Sequence, residues 1–330
     1  MPHPPSTLPN PVISIGECLI DLIAGPDTDL STAGTLTIRE GGAPTNVAVG
    51  LARLGVPSAM ASVVGQDPFG DRLIALMRAE GVDTTHVRQT AEAETTIAYA
   101  WKDRRGDGRF RLVRMADRLL DAADVDALGL GAGRAGALVF GSVSLSASPS
   151  REAVEHAVAM AAAAAVPLVF DINVRPTLWP DLATLRAACE PLMAQATVIK
   201  LSLDDAEALW GTATMEAALP MLNAFPAPVV VITDGGREVR ARRVLDGGRE
   251  AAWTAHPVFA VDAIEPTGAG DAFTAALLSR LIASGWGPVS DDDIRFGMAA
   301  GAIATTKPGA IAALPTADEV ARFVAARAAG

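Results

Sequence analysis

Residues 166–202, VPLVFDINVRPTLWPDLATLRAACEPLMAQATVIKLS, decide the fold. VPLVF (166–170), which opens the run VPLVFDIN, is continuously apolar, as a strand buried on both faces is. The segment at about 181–194 reads as a helix, and ATVIKLS (196–202) is again a short apolar strand. Strand, helix and strand in succession specify a parallel pair with a crossover, and repetition specifies a parallel sheet covered on both faces. The pattern does repeat. ALVFGSVS (137–144) and a helix at about 150–165 come before this unit; a helix at about 204–210 and PVVVITDG (228–235) come after it. Nearer the N-terminus, VISIGECLIDLIAG (12–25) is a buried strand, a turn and more extended chain. GGAPTNVAVGLARLG (41–55) starts a helix with Val47, Leu51 and Leu54 on one face and Gly55 as its stop. SAMASVVG (58–65) is a strand, and DPFGDRLIALMRAEG (67–81) is a helix with Phe69, Leu73, Leu76 and Met77 inward.

Two stretches break this alternation. GTLTIREGG (34–42) alternates like a half-exposed strand, and TTIAYAW (95–101) with RFRLVR (109–114) flanks the polar turn KDRRGDG as a hairpin. Lacking helices of their own, the β segments at about 17–41 and 95–115 are expected to form a small separate lid. A last β segment (238–261) and two or three helices complete an α/β domain spanning 12–330. The proline-rich residues 1–11 read as a disordered tail without the features of a signal peptide.

Half of the 330 residues are apolar and the formal net charge is −11, so the chain can bury a large core and offers no basic surface for nucleic acid. Its lysines are Lys102, Lys200 and Lys307. Cys18 and Cys189 have no metal-ligand spacing, and the four histidines form no H-x-x-x-H pair. The apolar stretch 157–170 is split by Pro167 and is too short to span a bilayer before it. A soluble cytoplasmic protein is expected.

GAGRAG (131–136) matches G-x-G-x-x-G, but a helix-like segment precedes it and a strand follows, the reverse of a dinucleotide site. No G-x-x-x-x-G-K-[ST], H-R-D or D-F-G occurs. TGAGD (267–271) is more informative. It leads from a strand-like segment into a helix bearing Phe273, Leu277 and Leu281, so backbone N–H groups and the helix dipole make an anion hole there. Asp271 beside that hole can take a proton from a hydroxyl nucleophile while the N–H groups hold a phosphoryl group.

The segments 41–55, 64–73 (VGQDPFGDRL) and 267–273 (TGAGDAF) together resemble the two signature regions of the PfkB (ribokinase-like) carbohydrate kinases. The resemblance runs from about residue 12 to the C-terminus. It implies a ribokinase-like fold: a central, mostly parallel sheet flanked by helices on both faces, with a small β-sheet lid over the sugar. It makes Asp271 the catalytic base and Gly268, Ala269 and Gly270 the anion hole. Asp21, Gly42 and Asn46 fall on sugar-hydroxyl positions. FDINVRPTLW (170–179) is similar to the D-x-N-x-R-x-x-L-W segment of fructokinases and 2-keto-3-deoxygluconate kinases, which brings Asp171, Asn173 and Arg175 to the site. Arg114 lies near a sugar-contacting arginine of fructokinases, and Tyr99 is a candidate for telling substrates apart.

VIKLSLDDAE (198–207) resembles the family's K-x-N-x-x-E segment, with Ser202 and Asp205 in place of Asn and Glu. Lys200 then pairs with phosphate, and Asp205 organises Mg²⁺ through water. VITDGG (231–236) resembles the nucleotide segment V-T-x-G-x-x-G and places Thr233 and Gly235 near the phosphates, with Thr267. Glu265 stands where the family has an aspartate beside a K⁺ ion, in a loop region shared with Ala304 and Gly309. The expected activity is ATP-dependent phosphorylation of a primary sugar hydroxyl, fructose first, since GECLIDLI, FGSVSLS, VRPTLW and KPGAIAALPT look like bacterial fructokinases. The alternatives are a 2-keto-3-deoxygluconate kinase or another PfkB-family sugar kinase and, more remotely, a non-catalytic sugar-binding regulator. ATP, Mg²⁺ and K⁺ are the implied cofactors, and a homodimer through the lid is the implied assembly.

Overall fold

In the computed structural model the described residues are 10–25, 28–102, 108–131, 134–245, 249–250 and 253–328. Their strands, in chain order, are β1 (Val12–Ile15), β2 (Leu19–Ala24), β3 (Leu36–Gly41), β4 (Ser58–Gly65), β5 (Asp83–Thr90), β6 (Ile97–Lys102), β7 (Gly108–Val113), β8 (Ala137–Phe140), β9 (Leu168–Asp171), β10 (Val198–Ser202), β11 (Val229–Asp234), β12 (Glu238–Leu245), β13 (Arg249–Glu250) and β14 (Thr254–Pro257). Ten of them form one sheet in the order β13-β12-β11-β10-β9-β8-β1-β4-β5, with β14 paired to β12. From β11 to β5 every pairing is parallel; β12, β13 and β14 add an antiparallel edge.

The central strands are buried throughout because helices cover both faces. Their side chains alternate between two layers. Leu138 and Phe140 of β8 join Phe170 in one core, where the two rings stack at 4.6 Å. Ala137 and Val139 join Val169 and Val231 in the other, with Phe273 and Leu277. Helices Ser150–Ala163, Leu182–Met193 and Leu203–Trp210 supply the first layer, and Ala43–Arg53 and Ala269–Ala283 the second. The helix Ala269–Ala283 is buried on nearly all sides, from Ala272 to Leu278, which is why its sequence shows an apolar run rather than a stripe.

The chain passes from β1 outward to β4 and β5, then returns to the other side of β1 for β8 through β11. A parallel sheet with such a reversal has a crevice at the carboxyl ends of the strands flanking it, which is where ligands bind in open α/β sheets. Above lies a separate four-stranded sheet, β3-β2-β6-β7, in which β2 and β6 are parallel and the outer pairings are antiparallel. The two out-of-pattern β segments of the sequence thus belong to one small sheet. Two elements were not anticipated: the edge strand β5 (DTTHVRQT) and the helix Met215–Leu222. Residues 1–9 of the expected tail, most of the KDRRGDG turn, and Ala132 and Gly133 of the GAGRAG match lie outside the described residues. Cys18 and Cys189 are free and buried.

Candidate active site

Asp171 ends β9, Lys200 lies in β10 beside it, and Asp271 sits in the first turn of Ala269–Ala283. Strand register alone brings the first two together, since Asp171 pairs with Lys200 across the sheet. Lys200 Nζ donates to Asp171 Oδ1 at 3.0 Å and Oδ2 at 3.3 Å. Thr274 Oγ1, one helical turn beyond Asp271, donates to Asp171 Oδ2 at 2.7 Å. From the opposite side Asn46 Nδ2 donates to Asp271 Oδ2 at 2.7 Å, joining helix Ala43–Arg53 to the TGAGD turn. Asn46 Oδ1 is buried and has no partner.

The turn itself is dictated by two close approaches. Gly268 has φ +81°, and a Cβ there would stand 2.9 Å from Ala310 Cα. A Cβ on Gly270 would stand 2.5 Å from Lys200 Nζ, so glycine is what lets the ammonium reach the helix start. The first-turn N–H groups of this helix have no acceptor within it; that of Ala269 is taken by Pro266 O at 3.2 Å. The positive helix end and Lys200 together attract an anion.

Burial sets the ionisation here. It lifts Asp271 from the usual 3.8 to about 6, helped by the Asp171 charge and resisted by Lys200, Asn46 and Arg175. Asp21, on β2, is lifted by burial to about 7 against the pull of Arg175, with Glu265 and Asp271 adding repulsion. Asp171 is also raised by burial, with Lys200 and Thr274 opposing. Burial pulls Lys200 down, but Asp171, Asp271 and Asp205 more than offset it and hold it above its ordinary value.

The remaining candidates fall into three groups. Arg175 faces this cluster: its guanidinium lies 5.3 Å from the centroid of the Phe110 ring and Nη1 donates to Asn173 Oδ1 at 2.5 Å. Ser202 and Asp205 form a capping box at the start of Leu203–Trp210. Asp205 accepts from Val174 N at 2.6 Å, Ser202 N at 2.8 Å and Ser202 Oγ at 2.7 Å, which occupies three of about four lone-pair sites. Thr233 is paired with Ser202 across β10 and β11, and Gly235 follows at φ +49°. Thr267 is exposed at the mouth of the crevice. Glu265 Oε2 accepts from Gly309 N at 3.0 Å, near the C-terminal end of Asp291–Ala304.

Two candidates are not brought to the cluster. In the small sheet Asp21 is paired with Ala98 and Tyr99 with Leu22, so Tyr99 points to the face opposite Asp21. Arg114 is buried, with all its donor nitrogens engaged. It donates to Asp117 Oδ2 at 2.7 Å, Val143 O at 2.8 Å, Ser146 Oγ at 2.9 Å and Ser150 Oγ at 3.0 Å. It thus bolts the exit of β7 to the loop after β8. Sequence reasoning also missed Thr274 and Glu17. The first was detectable from its i+3 spacing to Asp271; the second is a lone acid directly after a buried strand.

Mg²⁺ prefers one or two carboxylates plus phosphate and water to a full protein cage. Among the described residues no group of three or more His, Cys, Asp or Glu could hold a metal ion. Beyond its three accepted hydrogen bonds, Asp205 has about one further lone-pair site. No helix among the described residues is long and apolar enough to cross a membrane.

Residues 10–317 match the pfkB family carbohydrate kinases. A fructokinase of Klebsiella pneumoniae is 35% identical over 317 residues, covering 93% of this chain and 97% of that protein. The crystal structure of a fructokinase from Xylella fastidiosa with bound ATP is similar with a TM-score of 0.81 and 28% identity, covering 96% of this chain and 98% of that one. A fructokinase double mutant from Vibrio cholerae O395, bound to fructose, ADP and potassium ion, has a TM-score of 0.80 and 28% identity over 95% and 98% of the two chains.

Proposed function

Because this chain belongs to the pfkB family of carbohydrate kinases, we propose that it transfers the γ-phosphoryl group of ATP to the primary hydroxyl of fructose, giving fructose 6-phosphate. One observation carries the chemistry. A buried carboxylate, Asp271, sits at the positive end of a helix, oriented by Asn46, with Lys200 against the same turn. At about 6 its ionisation lies just below neutral pH, where a general base is most effective.

Asp271 takes the hydroxyl proton as the oxygen attacks. The free N–H groups of the 268–271 turn and Lys200 hold the phosphoryl group in flight, and Asp171 and Thr274 fix Lys200. Asp21, Gly42, Asn46, Asp171 and Arg175 read the sugar; Ser202, Thr233, Gly235 and Thr267 flank the nucleotide. Mg²⁺, held by the phosphates and by Asp205 through water, supplies charge neutralisation when bound. The small sheet acts as a lid that excludes water as a competing nucleophile. Glu265, with backbone groups at Ala304 and Gly309, is the place for K⁺. Leu22, Ile38, Tyr99 and Trp101 share the face of the lid opposite Asp21, with Leu22 and Ile38 packed on the core, and a homodimer would pair through the lid edges. A kinase that draws on ATP as proposed would work in the cytoplasm.

A neutral sugar fits better than 2-keto-3-deoxygluconate. A substrate carboxylate needs free cations, yet Arg114 is fully engaged elsewhere and Asp21, Asp171 and Asp271 already crowd the crevice. The test is ADP release from MgATP against fructose, 2-keto-3-deoxygluconate, ribose, tagatose and nucleosides. Fructose should give the highest kcat/KM. Preference for the keto-acid would reassign the substrate, and silence with every acceptor would leave a sugar-binding protein.

A further inference from the structure

One buried acid is left without a task by the reading above. Glu17 directly follows the buried turn after β1, where the chain first crosses from the large sheet to the small one, and it is 3% exposed. Its Oε1 accepts from Ala43 N at 3.3 Å, and its carbonyl oxygen accepts from Thr45 Oγ1 at 3.3 Å. Gly42, at φ +105°, makes room for that carbonyl: a Cβ there would stand 2.5 Å from it. These contacts converge on the start of Ala43–Arg53, whose N-cap is Gly42 and therefore has no capping side chain. A helix start needs acceptors for its first N–H groups, and its positive end favours a carboxylate. Glu17 supplies both from outside the helix. One turn in stands Asn46, whose amide donates to Asp271.

We propose that Glu17 is a positioning residue for phosphoryl transfer, capping helix Ala43–Arg53 from the segment between β1 and β2 and so fixing the Asn46 amide against Asp271. The inference rests on Asp271 being the base. Burial lifts Glu17 to about 7; Asp117 adds to the lift, and Arg114 and Arg175 oppose it. The neighbouring Cys18 thiol, pushed up by burial to about 12, stays neutral. The anionic cap therefore forms as pH rises through about 7, above the ionisation of Asp271.

The test compares Glu17→Ala and Glu17→Gln, each alone and with Asn46→Ala, by kcat, KM, pH profile and hydrogen exchange of the amides at 43–46. Loss of the cap should lower kcat roughly 10- to 100-fold in Glu17→Ala while the KM for ATP stays within about twofold. Glu17→Gln, which still accepts from Ala43 N, should recover most of this and lose the ionisation near 7, leaving one acid limb near 6. In the Asn46→Ala background, removing Glu17 should change kcat by less than about threefold, and exchange at 43–46 should quicken in Glu17→Ala. Losses that multiply in the double variant, or exchange that does not respond to Glu17, overturn the proposal. If Asp271→Asn retains turnover while exchange at 43–46 still depends on Glu17, the base assignment fails and the cap stands.

Discussion

Replacing Asp271 with asparagine should remove turnover and at the same time stabilise the protein, and the two effects have one origin. Burial moves Asp271 from the usual 3.8 to about 6. That shift of roughly two units corresponds to about 3 kcal/mol of preference for the neutral acid over the carboxylate in the folded state. Because the folded value lies above the unfolded one, folding takes up a proton between about 4 and 6. Stability therefore falls as pH rises through that window and stays at the lower level above it. Asparagine keeps the shape, accepts from Asn46 through its amide oxygen, and carries no charge. At pH 8 the variant should be more stable by up to about 3 kcal/mol, or about 4 °C in Tm for a chain of this length. At pH 4 the difference should vanish. Turnover should drop by about 10² to 10⁴ from loss of the base alone, with ATP binding little changed. Thermal unfolding at pH 4, 6 and 8, run beside steady-state kinetics, checks both halves. Near-normal turnover would refute the base assignment. A Tm difference that does not change between pH 4 and 8 would refute the burial argument.

Three further outcomes follow from the same geometry. Gly270→Ala places a Cβ 2.5 Å from Lys200 Nζ, so the flexible ammonium moves off the helix start; kcat should fall by about 100-fold with the Tm almost unchanged. Arg114→Met leaves the wholly buried Asp117 carboxylate without its cation, which should cost about 3–5 kcal/mol, read as a Tm lower by about 4–7 °C, with sugar KM little affected. A raised sugar KM at unchanged Tm would instead make Arg114 a sugar ligand. Replacing K⁺ with a bulky organic cation at fixed ionic strength should lower activity; unchanged activity would remove the Glu265 site.

How far the molecule could be read from its sequence depended on whether a residue's partner was local or distant. The central strands were legible because a strand buried on both faces must be almost wholly apolar, as ALVF and, but for Ser14, VISI are. The edge strand β5 was not, because it is half solvated and DTTHVRQT carries no apolar run. Asp271 and the glycines around it were legible because one short turn contains both the proposed anion hole and the proposed base. Tyr99 and Arg114 were misplaced for the opposite reason. The face of a short strand depends on a register of one residue, and the donors of an arginine go to whichever carbonyls the fold brings near. Glu17 is the extreme case, a cap separated from its helix by a whole β-hairpin.

What the structure adds is the charge balance of the crevice, and this bears on why the site is built so. Glu17, Asp21, Asp171 and Asp271 are all raised toward protonation by burial, against Lys200, Arg175 and, at Glu17, Arg114 as the opposing cations. An arrangement this acidic is poorly matched to a bare polyphosphate, since carboxylates and phosphate oxygens repel. It is well matched to a phosphate chain that arrives with its charge already covered by a divalent cation. On the proposed assignment the anion hole at 268–271 then has only the transferring group to hold, and Lys200, paired with the Asp171 that Thr274 holds, meets that group alone. On this argument the carboxylates select the metal complex over the free nucleotide. Burial, with the Asp171 charge adding to it, keeps Asp271 basic enough to take a proton while still ionised near neutral pH.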